Sequence, residues 1–271
     1  MNHSSSNPKF LIRAFTLVEL LVVIAIIAIL AAMLLPVLNR VKESAKVIQA
    51  KADIALLVTA IQSYHSTYSR YPCSTNALNE AVKKKEDFTY FDGAFTVNQT
   101  QTGVAYDAPN SEVIAILMDI PDGTLNTAPL VNNPNWNHQK NPQNLKASFK
   151  MSGYDPATGG TPLPGVDKNY VYRDPWGNPY YISMDLNYDD KCMDAIYRRK
   201  AVSQITAGKP DGYNGLVNAA DNTGATDDYS FNGGVMVWSL GSDKKMDRNP
   251  LNTPGIDANQ PPNKDNVLSW K

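Results

Sequence analysis

The chain has 271 residues, with 25 Lys and Arg against 26 Asp and Glu, so its net charge is −1. Because no basic excess is available to neutralise phosphates, the composition disfavours a nucleic-acid partner. The three histidines are scattered, and no GxSxG, HExxH or phosphate-binding glycine loop occurs, so we do not expect an enzyme.

The N-terminal region divides into a polar leader and an apolar segment. Residues 1–14 are polar and weakly basic, and Phe15–Leu38 is apolar except for a single charged residue, Glu19. Leu20–Leu35 contains sixteen uncharged residues, about 24 Å of helix at 1.5 Å per residue. With Phe15–Val18 added, the segment is long enough to span a membrane.

A proline separates this segment from an amphipathic one. Pro36 removes one backbone donor, so it should kink or loosen the preceding turn. Apolar residues then recur every three or four positions up to Tyr68, which predicts an amphipathic helix continuous with the apolar one, about 80 Å in all. Two neighbouring stripes are candidates for the packed face: Val37, Val41, Ala45, Ile48, Ala52, Ala55 and Thr59, and Leu57, Ile61, Tyr64 and Tyr68.

After Pro72 the pattern predicts shorter elements. Asn76–Lys85 is a candidate helix, and Ser111–Ile120 is apolar enough for a helix or a buried strand. The remainder of residues 93–170 is rich in Asn, Gly, Pro and Thr, which is typical of long surface loops.

Strands are expected in the C-terminal part. Tyr170–Arg173 and Tyr180–Met184 flank the sequence Asp-Pro-Trp-Gly at 174–177, which suits a type I turn, and Val235–Leu240 is a third strand. The predicted fold class is α+β: a long N-terminal helix packed on a small antiparallel sheet with long loops.

The two cysteines, Cys73 and Cys192, form no CxxC or Cys/His cluster, which excludes a structural zinc site. If this region lies outside the cytoplasm, a Cys73–Cys192 disulfide is chemically allowed, and two buried thiols are the alternative.

An ionised carboxylate in lipid costs several kcal/mol unless it is paired. No Lys or Arg follows Glu19 at helical spacing. Cleavage between Ala14 and Phe15 would create a positively charged amine at the start of the helix. This amine could pair with Glu19 of a staggered neighbour, a heterologous contact that builds an open helical assembly.

These residues carry a resemblance. Ala-Phe-Thr-Leu-Val-Glu at 14–19, the aliphatic run and Pro36 resemble the signal of type IV prepilins and type II secretion pseudopilins. The resemblance implies that a prepilin peptidase cuts before Phe15 and that its amine is methylated, that Glu19 guides assembly, and that the helix can loosen at Pro36 in a filament. The family most often has Gly where this chain has Ala14.

Later residues resemble the major, G-type pseudopilin. They are Tyr-His-Ser-Thr-Tyr-Ser-Arg-Tyr-Pro at 64–72 and Asp-Pro-Trp-Gly-Asn-Pro-Tyr-Tyr-Ile-Ser at 174–183, and more loosely residues 237–247 and 264–270. The resemblance does not cover about 85–165, which we interpret as an insertion.

The resemblance also implies calcium, which takes six to eight oxygen ligands. Matching positions in the C-terminal loop are the Leu240 carbonyl, Asp243 and Asp265. Asp247 or Asp257 could complete the set, and the alternative is a solvated loop with turn-forming aspartates.

Other interpretations of the N-terminus are weaker. A secretory signal peptide could end at Ala25, Ala28 or Ala31, but Glu19 sits where such a peptide needs apolar residues. A plain anchor leaves Glu19 unexplained, and a coiled coil would need heptads and charges across Leu20–Leu35. Basic residues are more numerous after the segment than before it, so charge alone would place the leader outside. The cleavage signal requires a cytoplasmic leader.

The sequence therefore predicts a structural subunit of a type II secretion pseudopilus. Its parts are a cytoplasmic leader (1–14), a transmembrane and assembly helix (15–38) and a periplasmic globular domain (39–271) that includes the insertion, held in a bacterial inner membrane. Expected partners are the prepilin peptidase, identical and minor pseudopilins, an inner-membrane platform with its ATPase, and lipid. The alternatives are a type IV pilin for adhesion or DNA uptake, and a membrane-anchored binding or enzymatic domain.

Overall fold

The computed structural model describes residues 16–90, 109–120, 147–218, 220–246 and 258–270. The chain divides into two compact units, Met1–Ala45 and Lys46–Lys271. The helices are α1 (Leu17–Tyr68), α2 (Thr75–Lys84), α3 (Ser111–Leu117) and α4 (Lys200–Ser203). The strands are β1 (Phe88–Tyr90), β2 (Gly165–Val166), β3 (Tyr172–Arg173), β4 (Tyr181–Met184), β5 (Val217–Asn218), β6 (Tyr229–Ser230), β7 (Val235–Ser239) and β8 (Val267–Leu268).

The first unit contains the apolar beginning of α1. Every side chain from Leu17 to Leu35 is exposed, and by length and composition α1 could cross a membrane. The helix contains Pro36, so the backbone is helical where the sequence suggested an interruption.

The second unit is built around an antiparallel sheet with the strand order β1-β4-β7-β8. Ser183 in β4 lies opposite both Thr89 of β1 and Met236 of β7. The hydroxyls of Thr89 and Ser183 are 2.9 Å apart and hydrogen-bonded within the core. The expected α+β architecture, a long helix with a small antiparallel sheet, is confirmed.

The buried face of α1 follows the second of the two predicted stripes. Ala50, Ile54, Leu57, Ile61 and Tyr64 are at most 3% exposed and belong to the same core as the sheet. The first stripe points outward: Ile48 is 69% exposed, and Ala52 and Ala55 are also exposed. Of the two candidate stripes, the second is therefore the packed one, because helical periodicity does not say which stripe meets the sheet.

The helix predicted at Asn76–Lys85 is confirmed as α2, whose Ser74 side chain accepts the Ala77 N–H at 3.2 Å as an N-cap. The segment at 111–120 forms the helix α3, with its apolar residues buried.

The strand predictions need one correction. The hydrogen bond from the Gly177 N–H to the Asp174 carbonyl, 2.9 Å, confirms the expected turn. The strands that flank it do not continue as one ladder, however, because β3 pairs with β2 and β4 belongs to the main sheet. A single backbone bridge, between Arg173 and Pro179, pairs the two sides of the turn in the described residues.

The region interpreted as an insertion also contributes to the core. β1 is an edge strand of the main sheet, and α3 is buried. Asn110, fully buried, donates from Nδ2 to the Tyr172 and Tyr180 carbonyls and accepts the Tyr172 N–H, so it holds both sides of the turn. The described parts of 85–165 are therefore more than surface loops.

Candidate functional site

The start of α1 holds the carboxylate on which the assembly hypothesis depends. Glu19 Oε2 accepts hydrogen bonds from the Thr16 N–H and the Thr16 hydroxyl, both at 2.8 Å, and the Thr16 Oγ1 accepts the Glu19 N–H at 3.2 Å. This reciprocal pair is a capping box, which satisfies donors that the first turn of a helix leaves open.

The capping box corrects the expectation that Glu19 has no partner within its own chain. Its signature, Thr-x-x-Glu, is visible in the sequence, but the search for a cation overlooked it. Two of the three hydrogen bonds end on Oε2, and the third ends on Thr16 Oγ1. The Thr16 N–H that donates to Oε2 would stay an amide after cleavage before Phe15, so the box survives removal of the leader.

Ala14 and Phe15 lie outside the described residues, so cleavage, methylation and pairing of the new amine with Glu19 stay predictions. The role of Pro36 in loosening the helix in a filament also stays a prediction.

The exposed surface of Leu17–Leu35 is the second functional feature of this unit. An aliphatic surface of this size is unfavourable in water, so it requires lipid or other apolar helices around it. Within its own chain, Glu19 has polar partners at the start of this surface.

In the second unit, the Asp174 carboxylate connects two sequence motifs. Asp174 Oδ1 accepts the Trp176 and Asn178 N–H groups, and Oδ2 accepts from the Asn178 amide and the Ser239 hydroxyl. Burial raises the pKa of Asp174, while the hydrogen bonds from Ser239 and Asn178 oppose that rise. The turn at 174–177 and the end of β7 are thereby held together.

This connection continues into the C-terminal loop. Asn178 Nδ2 donates to the Gly241 carbonyl at 3.3 Å, and Gly241 has φ +70°. A Cβ at position 241 would collide with the backbone of Asp265. Only glycine therefore suits both the backbone conformation and the space at this point.

The C-terminal loop brings two predicted calcium ligands together. Asp265 Oδ2 accepts the Ser242 hydroxyl at 3.0 Å and the Asp243 N–H at 2.9 Å, and Asp243 Oδ1 accepts the Lys245 N–H at 2.8 Å. Leu240 is buried at the end of this connection. Asp247 and Asp257 lie outside the described residues.

The fit to calcium is therefore incomplete in the part of the loop that the structure describes. The Asp265 carboxylate meets the backbone N–H of Asp243, and the carboxylates of both residues already accept hydrogen bonds within the loop. Within the described ranges no group of three or more His, Cys, Asp or Glu side chains is placed to hold a metal. Calcium at this loop stays a prediction.

The allowed disulfide is not formed in the structure. Cys73 and Cys192 are both buried free thiols. Cys73 lies close to Glu112, whereas Cys192 exchanges backbone hydrogen bonds with Phe231 and lies near Asp87 and Asp194. Burial raises the pKa of each thiol, to about 12 for Cys73, so both are unreactive.

Comparisons with known proteins agree with the N-terminal geometry. Residues 11–35 match a family model described as the prokaryotic N-terminal methylation motif. These residues contain Ala14, Phe15 and Glu19.

Several curated proteins are similar to parts of the chain. Type II secretion system core protein G of Dickeya chrysanthemi is 40% identical over 27% of this chain and 47% of its own length. Core protein G of Aeromonas hydrophila is 38% identical over 30% of this chain and 59% of its own. The type IV major pilin protein PilA of Myxococcus xanthus is 36% identical over 33% and 40%.

The chain thus spans about half the length of the curated relatives it matches. No solved structure gives a significant match. The chain carries a prepilin-type N-terminal methylation motif and is homologous, over 27–33% of its length, to type II secretion core protein G and to a type IV major pilin.

Proposed function

We propose that this protein is a structural subunit of a type II secretion pseudopilus. It would be made as a prepilin, cut before Phe15, methylated on the new amine and polymerised into a filament that drives protein secretion. The observation that carries the proposal is the methylation motif at 11–35, at the start of an exposed aliphatic helix whose first turn holds Glu19. Type II secretion core protein G supports the secretion system as the context.

The physical basis of assembly is an exchange of apolar surroundings. Before assembly, lipid covers Leu17–Leu35, and in a filament the same surface would pack against neighbouring helices. Because both surroundings are apolar, the exchange changes the hydrophobic free energy little. Polar contacts then determine how neighbouring helices are aligned along the filament. The Phe15 amine of one copy would reach Glu19 of the next, whose Oε2 is already oriented by Thr16.

Orientation and partners follow from this mechanism. The leader would be cytoplasmic, where prepilin peptidase acts, and the unit Lys46–Lys271 would face the periplasm. Minor pseudopilins, an inner-membrane platform and its ATPase would complete the machine, since this sequence has no nucleotide-binding motif. None of the three relatives compared above is named as an enzyme, which supports a structural role.

Calcium is a further part of the proposal. It would bind at the C-terminal loop, where Asp243 and Asp265 converge, together with the Leu240 carbonyl and Asp247. There it would replace internal hydrogen bonds of the loop by metal–oxygen bonds and stabilise the end of β7.

The second candidate is a type IV pilin, which the similarity to PilA favours. Such a pilin would form fibres outside the cell, in adhesion or DNA uptake, whereas a pseudopilus stays within the envelope. Immunogold electron microscopy of the native host distinguishes the two candidates. If this chain, at its native expression level, is found in long extracellular fibres, the pilin candidate replaces the secretion proposal. A membrane-anchored binding or enzymatic domain would keep its leader, and a secreted one would be cleaved after Ala28 or Ala31.

The decisive test combines mass spectrometry of the mature N-terminus with two substitutions at one position. We expect a methylated Phe15, and any other N-terminus overturns the proposal. Glu19→Val removes the charge and the capping acceptor, whereas Glu19→Gln keeps an acceptor for Thr16 and removes only the charge. Both variants should insert, be trimmed and fail to polymerise. Normal filaments from Glu19→Gln would show that helix capping, and not charge pairing, is what assembly requires.

A further inference from the structure

A groove runs along the outer edge of the main sheet in the second unit. It has a volume of about 660 Å³ and lies between α1 and the C-terminal strand β8. The apolar floor of the groove is formed by Val47, Ile54, Val58, Val267 and Leu268, and polar residues line the rest of it. β8 is the last strand in the sheet order, so one side of its backbone is not paired with another strand of that sheet.

Polar groups at this groove are suited to a ligand with donors and negative charge. Lys51 and Lys264 lie at the rim and are exposed. Asn266 lines the groove and is 8% exposed, and its Nδ2 donates to the Tyr197 hydroxyl at 2.9 Å. Its Oδ1 is buried and has no hydrogen-bond partner in the part of the chain that the structure describes. An unsatisfied buried acceptor is costly, and a donor from a docked segment would remove that cost.

A second surface on the same unit has the complementary character. The tight loop after β4 presents Tyr188, 49% exposed, followed by the exposed Asp189 and Asp190. We call residues 187–190 the acidic knob. The aromatic side chain offers a large apolar contact, and the two carboxylates offer negative charge.

The acidic knob is rigid because Asp185 organises its backbone. Asp185 Oδ1 accepts the Asp189 N–H at 3.1 Å, and Oδ2 accepts the Asp190 N–H at 3.0 Å. Tyr188 and Asp190 have φ of +58° and +64°, a left-handed conformation that non-glycine residues adopt only when their surroundings impose it. A preformed surface loses little conformational entropy on docking.

The two surfaces lie on opposite edges of the sheet. The groove borders β8, whereas the Asn187 amide donates to the Lys85 carbonyl, at the start of the turn that leads into β1. The two surfaces also lie at different positions along the axis of α1. The groove faces residues 47–59, whereas the knob lies near His65, whose ring is 6.4 Å from the Tyr188 ring. At 1.5 Å per residue, His65 is about 16 Å beyond Ile54.

We infer that the acidic knob of one copy docks into the β8 groove of the next copy, with Tyr188 against the apolar floor and Asp189 and Asp190 facing Lys51 and Lys264. This inference rests on the proposed function, since it supplies the lateral contact between globular units of a filament. Two different surfaces on opposite edges make a heterologous contact, which repeats without closing when the copies are also displaced along the helix.

The acidic knob and the groove each have a neighbouring residue of the opposite charge, but these residues do not cancel the charge complementarity between the two surfaces. Lys191 follows the acidic knob and is half-buried, and Asp265 lies at the groove with its Oδ2 accepting hydrogen bonds from Ser242 and Asp243. Beside the knob lies the exposed Lys85, whose carbonyl accepts from the Asn187 amide, and Asp189 accepts hydrogen bonds from Asn187 and Lys191. The knob itself presents the exposed Asp189 and Asp190, and the exposed charged residues that line the groove are Lys51 and Lys264. Such complementarity selects partner and register.

Cysteine crosslinking of the full-length chain in its native membrane tests the contact. In the double variant Asp189→Cys/Lys264→Cys, oxidation should produce a ladder of dimers, trimers and higher multimers containing this chain alone. Each single variant should give no ladder. The two native thiols are buried and serve as an internal background control. Dimers from a single variant would indicate a symmetric contact and overturn the inference, as would a ladder containing another protein.

A charge exchange provides the independent measurement. Lys51→Glu/Lys264→Glu and Asp189→Lys/Asp190→Lys should each lose filaments, and the quadruple variant should recover them. Thermal unfolding of each variant verifies that the fold is intact. If wild-type filaments with methylated Phe15 form but the charge reversals have no effect, or the quadruple variant is not restored, this contact is refuted and the pseudopilin proposal stands. If the wild type is not trimmed at Phe15, both fail together.

Discussion

Substituting Asp87 should change how the stability of the second unit depends on pH. Asp87 is 2% exposed, and its carboxylate accepts the Leu186 N–H at 3.1 Å and the Met193 N–H at 2.7 Å. Burial raises the pKa of Asp87 to about 8. The backbone hydrogen bond from Met193 opposes this rise, and the carboxylates of Asp185 and Asp189 add to it.

The sign of the effect follows from proton binding. The pKa of Asp87 in the folded state lies above its value of about 3.9 in an unfolded chain. Between these values the folded state holds the proton more tightly, so the free energy of unfolding falls as the pH rises from about 4 to about 8. At about 1.4 kcal/mol per pKa unit, the fall between about pH 5 and about pH 8 is at most about 4 kcal/mol.

Asp87→Asn replaces the carboxyl group by a neutral group of the same shape. Because solvent reorganises around a buried charge, we expect it to remove between about 1 and 4 kcal/mol of this fall. Its Nδ2 cannot accept a backbone N–H, so one of the two hydrogen bonds from Leu186 and Met193 is lost, and the variant should be less stable than the wild type at about pH 5. Asp53, Asp174 and Asp185 also have a pKa raised by burial, so a residual slope should remain in the variant.

The assay is urea unfolding of the fragment Lys46–Lys271 at the two pH values, followed by tryptophan fluorescence. Asp155→Asn is the matched control, since Asp155 pairs with Lys168 at the surface and the loss of such a pair should change stability little. If the wild type were equally stable at both pH values, or if Asp87→Asn kept the full slope, the argument from burial would be refuted.

Three further predictions concern the start of α1 and the C-terminal loop. Thr16→Val should reduce filament yield because it removes the hydroxyl of the capping box, which is worth about 1 kcal/mol. Thr16→Ser keeps the hydroxyl and should assemble normally. Equal filament yields from the two variants would show that assembly does not depend on the capping box. Gly241→Ala should destabilise the fragment by about 2–4 kcal/mol, because it combines an unfavourable φ with a backbone collision. Gly153→Ala, where a Cβ meets open space, should be neutral in the same denaturation experiment, and similar losses from both would contradict this account. Removing calcium with a chelator should lower the melting temperature of the fragment. If the melting temperature is the same in excess calcium and in chelator, calcium is no longer part of the proposal.

The parts of the fold that were predictable are those with local causes. The apolar run at the beginning of α1, the helix α2 and the Asp-Pro-Trp-Gly turn depend on residues close in sequence, so their patterns were sufficient. The capping box between Thr16 and Glu19 is also local and could have been predicted, but the search was for a cation and not for a hydrogen-bond donor.

Other features required the tertiary structure. Helical periodicity offered two apolar stripes on α1, and only packing showed that the face containing Leu57 and Ile61 is buried while Ile48 is exposed. The contact between Asp174 and Ser239 joins residues that are 65 positions apart, a separation at which one sequence carries no pairing signal.

By itself, the sequence determined that this chain has an aliphatic helix with one acid in its first turn and a prepilin-type methylation motif. These features depend on composition and on spacings of a few residues, so they do not require contacts between distant parts of the chain. The tertiary structure decided which helix face meets the sheet, that β1 and α3 of the presumed insertion belong to the core, and that an acidic knob and a basic-rimmed groove lie at opposite edges of one sheet. Those features arise only when strands distant in sequence pair, because strand order determines which side chains become neighbours and which edges remain open.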